Sequence, residues 1–142
     1  MAEYTSDVKT ISSSDENVYA VLSDLRKLDL IKDKIPQDQF KDFSYDQDSC
    51  TVNVSPIGNI RFVIVDREPN STVKFEAEKL PFKLNLWIQL KQIAENDTKM
   101  KLTVKADLNP FLKPMVSKPL QEGLNKMAEA LSNIPYNEIS TK

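Results

Sequence analysis

Histidine is absent from this chain, cysteine occurs once and glycine twice. Without histidine there is no commonest general base, no usual partner for a serine or cysteine nucleophile, and no commonest metal ligand. Zinc sites draw on cysteine and histidine, so Cys50 alone leaves no zinc set. Carboxylates for magnesium or calcium are present, but no acidic loop spaces them as ligands. Two glycines build no phosphate-cradling loop. No metal and no cofactor are expected. A single cysteine also means no disulfide framework, which is compatible with a reducing compartment. No apolar run approaches the length of a membrane span, so stable membrane insertion is not expected. Met1-Ala2-Glu3-Tyr4-Thr5-Ser6-Asp7 lacks the basic-then-apolar order of a secretion signal, and the expected location is cytoplasmic. The net charge is −2, from 19 basic and 21 acidic side chains. That balance offers no electrostatic case for nucleic acid or for an anionic membrane.

The chain has 142 residues and 40% apolar side chains, which suits one domain over 1–142 with a single core. From Phe40 to Leu112 it reads as a six-strand meander: Phe40–Tyr45, Cys50–Ser55, Ile60–Arg67, Thr72–Lys79, Leu84–Ile93 and Lys99–Leu108. Alternate turns of a meander share one end of a sheet. One set, Asp46-Gln47-Asp48-Ser49, Glu68-Pro69-Asn70-Ser71 and Glu95-Asn96-Asp97-Thr98, has no apolar side chain beyond proline. The other set, Pro56-Ile57-Gly58-Asn59, Leu80-Pro81-Phe82-Lys83 and Asn109-Pro110-Phe111-Leu112, carries a large apolar group in every member. One end of the sheet is wetted, and the other opens toward something apolar.

Alternation is clearest in the last two strands. Leu84, Leu86, Ile88 and Leu90 share one face; Met100, Leu102, Val104, Ala106 and Leu108 share another, with polar residues opposite. A sheet with one polar face needs a cover on the other. Thr5 to Ile11 is read as a first strand, marked by Val8 and Ile11. Ser13 and Glu16 have capping-box spacing. A short helix carrying Val18, Val21, Leu22 and Leu25 follows, then a second with Leu28 and Ile31 that ends near Pro36. The last helix starts from Asn109 as cap and Pro110 at its first position. Pro119 predicts a kink or a restart. Beyond it Leu120, Leu124, Met127, Ala128 and Leu131 form one apolar stripe.

Several residues carry two readings. Gly123, inside the last helix, either lets backbones pack closely or leaves volume for a ligand. Ile57, Leu80, Phe82, Phe111 and Leu112 form a pocket rim, or close the core, or make a dimer patch. Trp87 sits on the polar face of its strand, as a packing residue or a partner-binding aromatic. Met100, Met115 and Met127 are core or an adaptable ligand surface. Lys99, Lys101 and Lys105 line one strand face with Glu76 and Glu78 nearby, a mixed-charge solvated surface. Cys50 reads as a small core residue. Asp66 shares parity with Phe62 and Ile64 and so points inward on this pattern; with Tyr45 it is what remains for acid–base help, worth roughly 10²–10⁴-fold for a positioned group. No catalytic residue is assigned.

The order of strand, two short helices, six-strand meander and long helix resembles the START-like superfamily, the helix-grip fold. The stretches Leu84-Asn85-Leu86-Trp87-Ile88, Asn109-Pro110-Phe111 and Lys118-Pro119-Leu120-Gln121-Glu122-Gly123-Leu124 are similar to small bacterial SRPBCC proteins, a group labelled polyketide cyclases. The resemblance implies an α+β fold in which a seven-stranded antiparallel sheet (β-α-α-β6-α) wraps the C-terminal helix around a cavity. On the strands the expected lining is Phe62, Ile64, Phe75, Leu86, Ile88, Leu90, Met100, Leu102 and Val104. On the helix it is Met115, Leu120, Gly123, Leu124 and Met127. The expected mouth is Ile57, Leu80, Phe82 and Phe111. The function expected is binding of an apolar or amphipathic small molecule, a lipid or metabolite. The alternatives are a cyclase- or dehydratase-like enzyme and a protein-interaction module using the loop tips. A homodimer is compatible with the sequence but is not predicted.

Overall fold

The structure is a computed structural model that describes residues 2–30, 44–54, 58–134 and 136. The readings placed on Ile31 to Phe43, on Ile57 and on the tail from Asn137 lie outside the described residues. In chain order the elements are β1 (Ala2–Thr5), β2 (Lys9–Ile11), α1 (Asp15–Leu22), a 3-10 helix (Leu25–Leu30), β3 (Ser44–Tyr45), β4 (Ser49–Val54), β5 (Gly58–Glu68), β6 (Thr72–Glu78), β7 (Leu84–Ala94), β8 (Asp97–Ala106) and α2 (Leu112–Ser132). The strands form one antiparallel sheet in the order β1-β8-β7-β6-β5-β4-β3, with β2 also paired to β8. The fold is α+β, with a meandering sheet and a long C-terminal helix.

The first strand is split where the sequence reads it as continuous. Thr5 pairs with Thr103 and Lys9 with Met100, so β1–β2 carries one residue more than β8 across the break. The Ser6 hydroxyl takes the place of a backbone acceptor there, receiving the Leu102 amide at 2.9 Å. The extra residue turns Val8 out to solvent, against the core role its hydrophobicity suggests. The cap of α1 also falls one residue later than the pattern indicates. Ser14 accepts from the Asn17 amide at 3.1 Å, whereas Ser13 is buried and gives its carbonyl to Thr98 Oγ1 at 2.7 Å.

Asn109 caps the last helix through its side chain. Its Oδ1 accepts the Phe111 and Leu112 amides, each at 2.9 Å. Regular helix then starts at Leu112, later than the expected start at Pro110, and runs through Pro119 without a restart. The proline removes one amide bond inside the helix, and tertiary contacts compensate. Ser117 Oγ donates to the Lys113 carbonyl at 2.5 Å, so the Tyr4 hydroxyl, 2.7 Å away, donates to Ser117. Gln121 Nε2 donates to the Thr5 carbonyl at 2.9 Å. These bonds fasten α2 to edge strand β1.

Alternation on β7 and β8 puts Leu84, Leu86, Ile88, Leu90, Met100, Leu102, Val104 and Ala106 inside, where they join Leu120, Leu124, Ala128 and Leu131 of α2 in one core. Trp87 faces outward and is flanked by the ammonium groups of Lys74 and Lys105, 5.3 and 5.6 Å from its ring centroid. The outer face is thus organised by cation–π contacts with strand neighbours.

The core can be tested by truncation and by alkali. Leu124 is 3% exposed, and Leu124→Ala should cost about 2–5 kcal/mol in a denaturant titration; a loss under about 0.5 kcal/mol would place it at the surface. The alkaline test rests on two buried acids. Burial, and secondarily the charge of Asp46, pushes the Cys50 thiol from its ordinary 9.0 up to about 12. Full burial also raises the Tyr136 phenol, which donates to the Leu131 carbonyl at 2.7 Å. The unfolded chain releases both protons at lower pH than the folded one, so stability is full below pH 9 and falls as pH rises through the window toward 12. Urea midpoints measured from about pH 7 to about pH 11 should show that decline, with a shallower slope in Tyr136→Phe.

Candidate functional site, an apolar cavity at one end of the sheet

The two ends of the sheet are closed by different means. At the end carrying the polar turns, α1 and the 3-10 helix cross over the strands. The Asp15 amide donates to Gln92 Oε1 at 2.9 Å, the Leu25 amide to the Gln47 carbonyl at 3.2 Å, and Arg67 Nε to the Ser23 carbonyl at 3.0 Å. Arg67 also pairs with Asp48. A guanidinium on the carbonyl that ends α1 is favoured by the helix dipole as well as by the hydrogen bond. α1 lies over β6 and β7, so this end of the inner face is filled by Val18, Val21 and Leu22 of α1.

The apolar-loop end has no such lid among the described residues. Along its length α2 comes closest to β8, β1 and β2 on one side and to β4 on the other. Between those lines of contact lie β5 to β7, and a cavity of about 20 Å³ opens there. The sheet contributes Ile60, Phe62, Leu84, Leu86 and Val104; the helix contributes Leu120, Gly123, Leu124 and Met127. Ile60 and Phe62 begin β5, Leu84 and Leu86 begin β7, and Val104 lies near the end of β8. All of these positions are at the apolar-loop end. Gly123 contributes backbone alone to that wall.

Of the residues expected to line a pocket, Phe62, Leu86, Val104, Leu120, Gly123, Leu124 and Met127 border this cavity. Ile64, Phe75, Ile88, Leu90, Met100 and Leu102 are buried in the core and do not border it. Met115 is 68% exposed, on the solvent side of the helix start. At the expected mouth, Leu80 and Phe82 are half-buried and packed against the core, while Phe111 is 84% exposed. Ile60 and Leu84 line the cavity as well. Each shares strand parity with an expected neighbour, Phe62 or Leu86, and the period-two signal is sufficient to find them.

The acid–base candidates lie elsewhere. β5 carries a bulge between Ile64 and Asp66, pairing Ile64 with Phe75 but Asp66 with Lys74. That extra residue flips the parity, so Asp66 points to solvent, not inward, and its Oδ1 accepts the Arg67 amide. The same flip turns Arg67 toward α1. Tyr45 is half-buried against the core and does not border the cavity. The buried Cys50 thiol, held protonated, is no nucleophile at neutral pH. Among the described residues no three cysteine, aspartate or glutamate side chains gather to hold a metal ion, and no helix is long and apolar enough to cross a membrane. Among the described residues the cavity wall has no polar side chain. What it can do chemically is remove apolar surface from water.

No family model matches the sequence, and no curated protein matches it. Solved structures do match the fold. A START superfamily protein from Mycobacterium smegmatis is 13% identical over 98% of this chain and 97% of its own, with a TM-score of 0.62. A protein from Thermus thermophilus is 15% identical over 99% and 98%, with a TM-score of 0.63. Norcoclaurine synthase from Thalictrum flavum is 15% identical over 92% and 85%, with a TM-score of 0.66. At such identities the likeness is one of fold. A meandering antiparallel sheet that grips a long C-terminal helix from both flanks is the START-like helix-grip fold, and this chain has it.

Proposed function

We propose that the protein binds an apolar or amphipathic small molecule between the sheet and α2, at the end nearest Leu80, Phe82 and Phe111. The observation that carries this reading is the position of the cavity. Its wall is wholly apolar, and it lies at the one end of the inner face that α1 leaves uncovered.

The cavity of about 20 Å³ holds little more than one water-sized sphere. A ligand of several carbons therefore enters by parting α2 from β5 and β7. The helix is suited to that movement. Pro119 removes an amide bond immediately before Leu120 of the cavity wall, and Gly123 offers no side chain to hold the wall shut. A ligand that buries about 200 Å² of apolar surface gains about 5 kcal/mol, against which the cost of opening is set. The wall supplies no proton donor, acceptor or nucleophile, so binding is favoured over turnover.

Native mass spectrometry of the freshly purified protein should show a retained lipid or metabolite. Titration with a fluorescent fatty acid should show saturable uptake in solution. Gly123→Leu should weaken that uptake roughly tenfold or more, since a side chain would occupy the cavity. Uptake unchanged beside a large loss of stability would assign Gly123 to backbone packing alone and defeat this reading.

A further inference from the structure

Phe111 is the most exposed large apolar side chain among the described residues, at 84%, and Met115 follows at 68%. They stand four residues apart at the start of α2 and so share one side of it. Neither exposure is forced by disorder of the backbone. The Asn109 carboxamide fixes the Phe111 amide, and the Tyr4–Ser117 bond fixes the next turn. An aromatic ring held out in water by a capped helix start has no internal use, which marks an interaction surface.

The charges around it are sorted. Segments 79–83 and 107–118 carry the exposed lysines Lys79, Lys83, Lys113 and Lys118 against one acid, Asp107, and the exposed Glu78 beside them is paired with Arg61 at 2.6 Å. Lys118 comes within 4.0 Å of Glu122, and the others have no acid partner of that kind in these two segments. The polar turns at the opposite end, 46–49, 68–71 and 95–98, carry Asp46, Asp48, Glu68, Glu95 and Asp97; of these Asp48 is paired with Arg67 and Asp97 lies 3.6 Å from Lys99, while no ion pair is seen for Glu68 and Glu95 among the described residues. The net charge of −2 conceals this polarity.

We infer that the Phe111–Met115 end docks reversibly on a bilayer surface that carries anionic headgroups. Phe111 and Met115 would enter the boundary between headgroups and acyl chains, and the four lysines would face the phosphates. The negative surface attracts this end and repels the acidic one, so the molecule is oriented with its cavity end toward the membrane. A second copy is a poorer occupant, because a two-fold contact would set two basic ends against each other. The attachment is peripheral. It holds whether or not the cavity takes a ligand.

The test is flotation of the full chain with vesicles of phosphatidylcholine alone and of phosphatidylcholine mixed with phosphatidylglycerol. Binding is expected to the mixed vesicles only, and to be lost at high salt. Phe111→Ser with Met115→Ser, and separately Lys79→Glu with Lys113→Glu, should each weaken it roughly tenfold or more. Thermal unfolding of each variant confirms folding; if either double variant unfolds, Phe111→Ser and Lys113→Glu singly replace it. Gly123→Leu, aimed at the cavity, should leave vesicle binding intact, so failure of ligand uptake and failure of docking are read separately. No binding to mixed vesicles, equal binding to both kinds, or binding indifferent to the variants overturns the inference. Self-association abolished by Phe111→Ser would likewise overturn it, in favour of a dimer.

Discussion

A one-sided antiparallel sheet is unstable until its apolar face is covered, and in this protein the cover is shared unequally. α1 and the 3-10 helix are tied across one end by Gln92, Gln47 and Arg67. α2 covers the rest, coming closest to the flanking strands and leaving the middle of the sheet to side chains. Where both helices contribute, Val18, Val21 and Leu22 of α1 are buried in the core with the strands. Where only α2 does, and where it presents Gly123, a gap remains. The position of the candidate site is therefore a consequence of how the core is closed.

Two single-residue insertions in the ladder decide which groups reach that core. The bulge in β5 sends Asp66 outward and turns Arg67 onto the last carbonyl of the α1 region, replacing an inward carboxylate with a clamp on the lid. The extra residue between β1 and β2 sends Val8 outward and brings Ser6 into the ladder with Leu102. In both places a strict period of two, carried across the insertion, assigns the wrong face. The outcome for chemistry is large, since Asp66 is the carboxylate that an inward reading offers for acid–base work, and it faces solvent at the end of the sheet away from the cavity.

The same sorting by ends extends to charge. Acids gather in the turns beneath α1, and lysines gather around the start of α2 beside Phe111 and Met115. The outer face of the sheet is balanced differently, with Lys74 and Lys105 over Trp87. The molecule is thus polar along the strand direction, with its apolar cavity, its exposed aromatic ring and its cluster of lysines at one end.

The residues alone determined much of this. The alternation in Leu84–Leu90 and Met100–Leu108 and the stripe Leu120–Leu131 specify an antiparallel meander covered by a terminal helix, because each is a local periodicity. The division into an apolar and a polar end is legible too, since meander turns alternate by construction. The missing histidine excludes whole classes of catalysis without any coordinates. What only the tertiary structure decided is which part of the inner face each helix covers. Phe62, Leu86 and Val104 border the cavity while Ile88, Leu90 and Met100, identical in pattern, are buried away from it. That distinction depends on where α1 lies across β6 and β7, a contact between segments far apart in the chain, and a period of two carries no information about distance from a neighbouring helix.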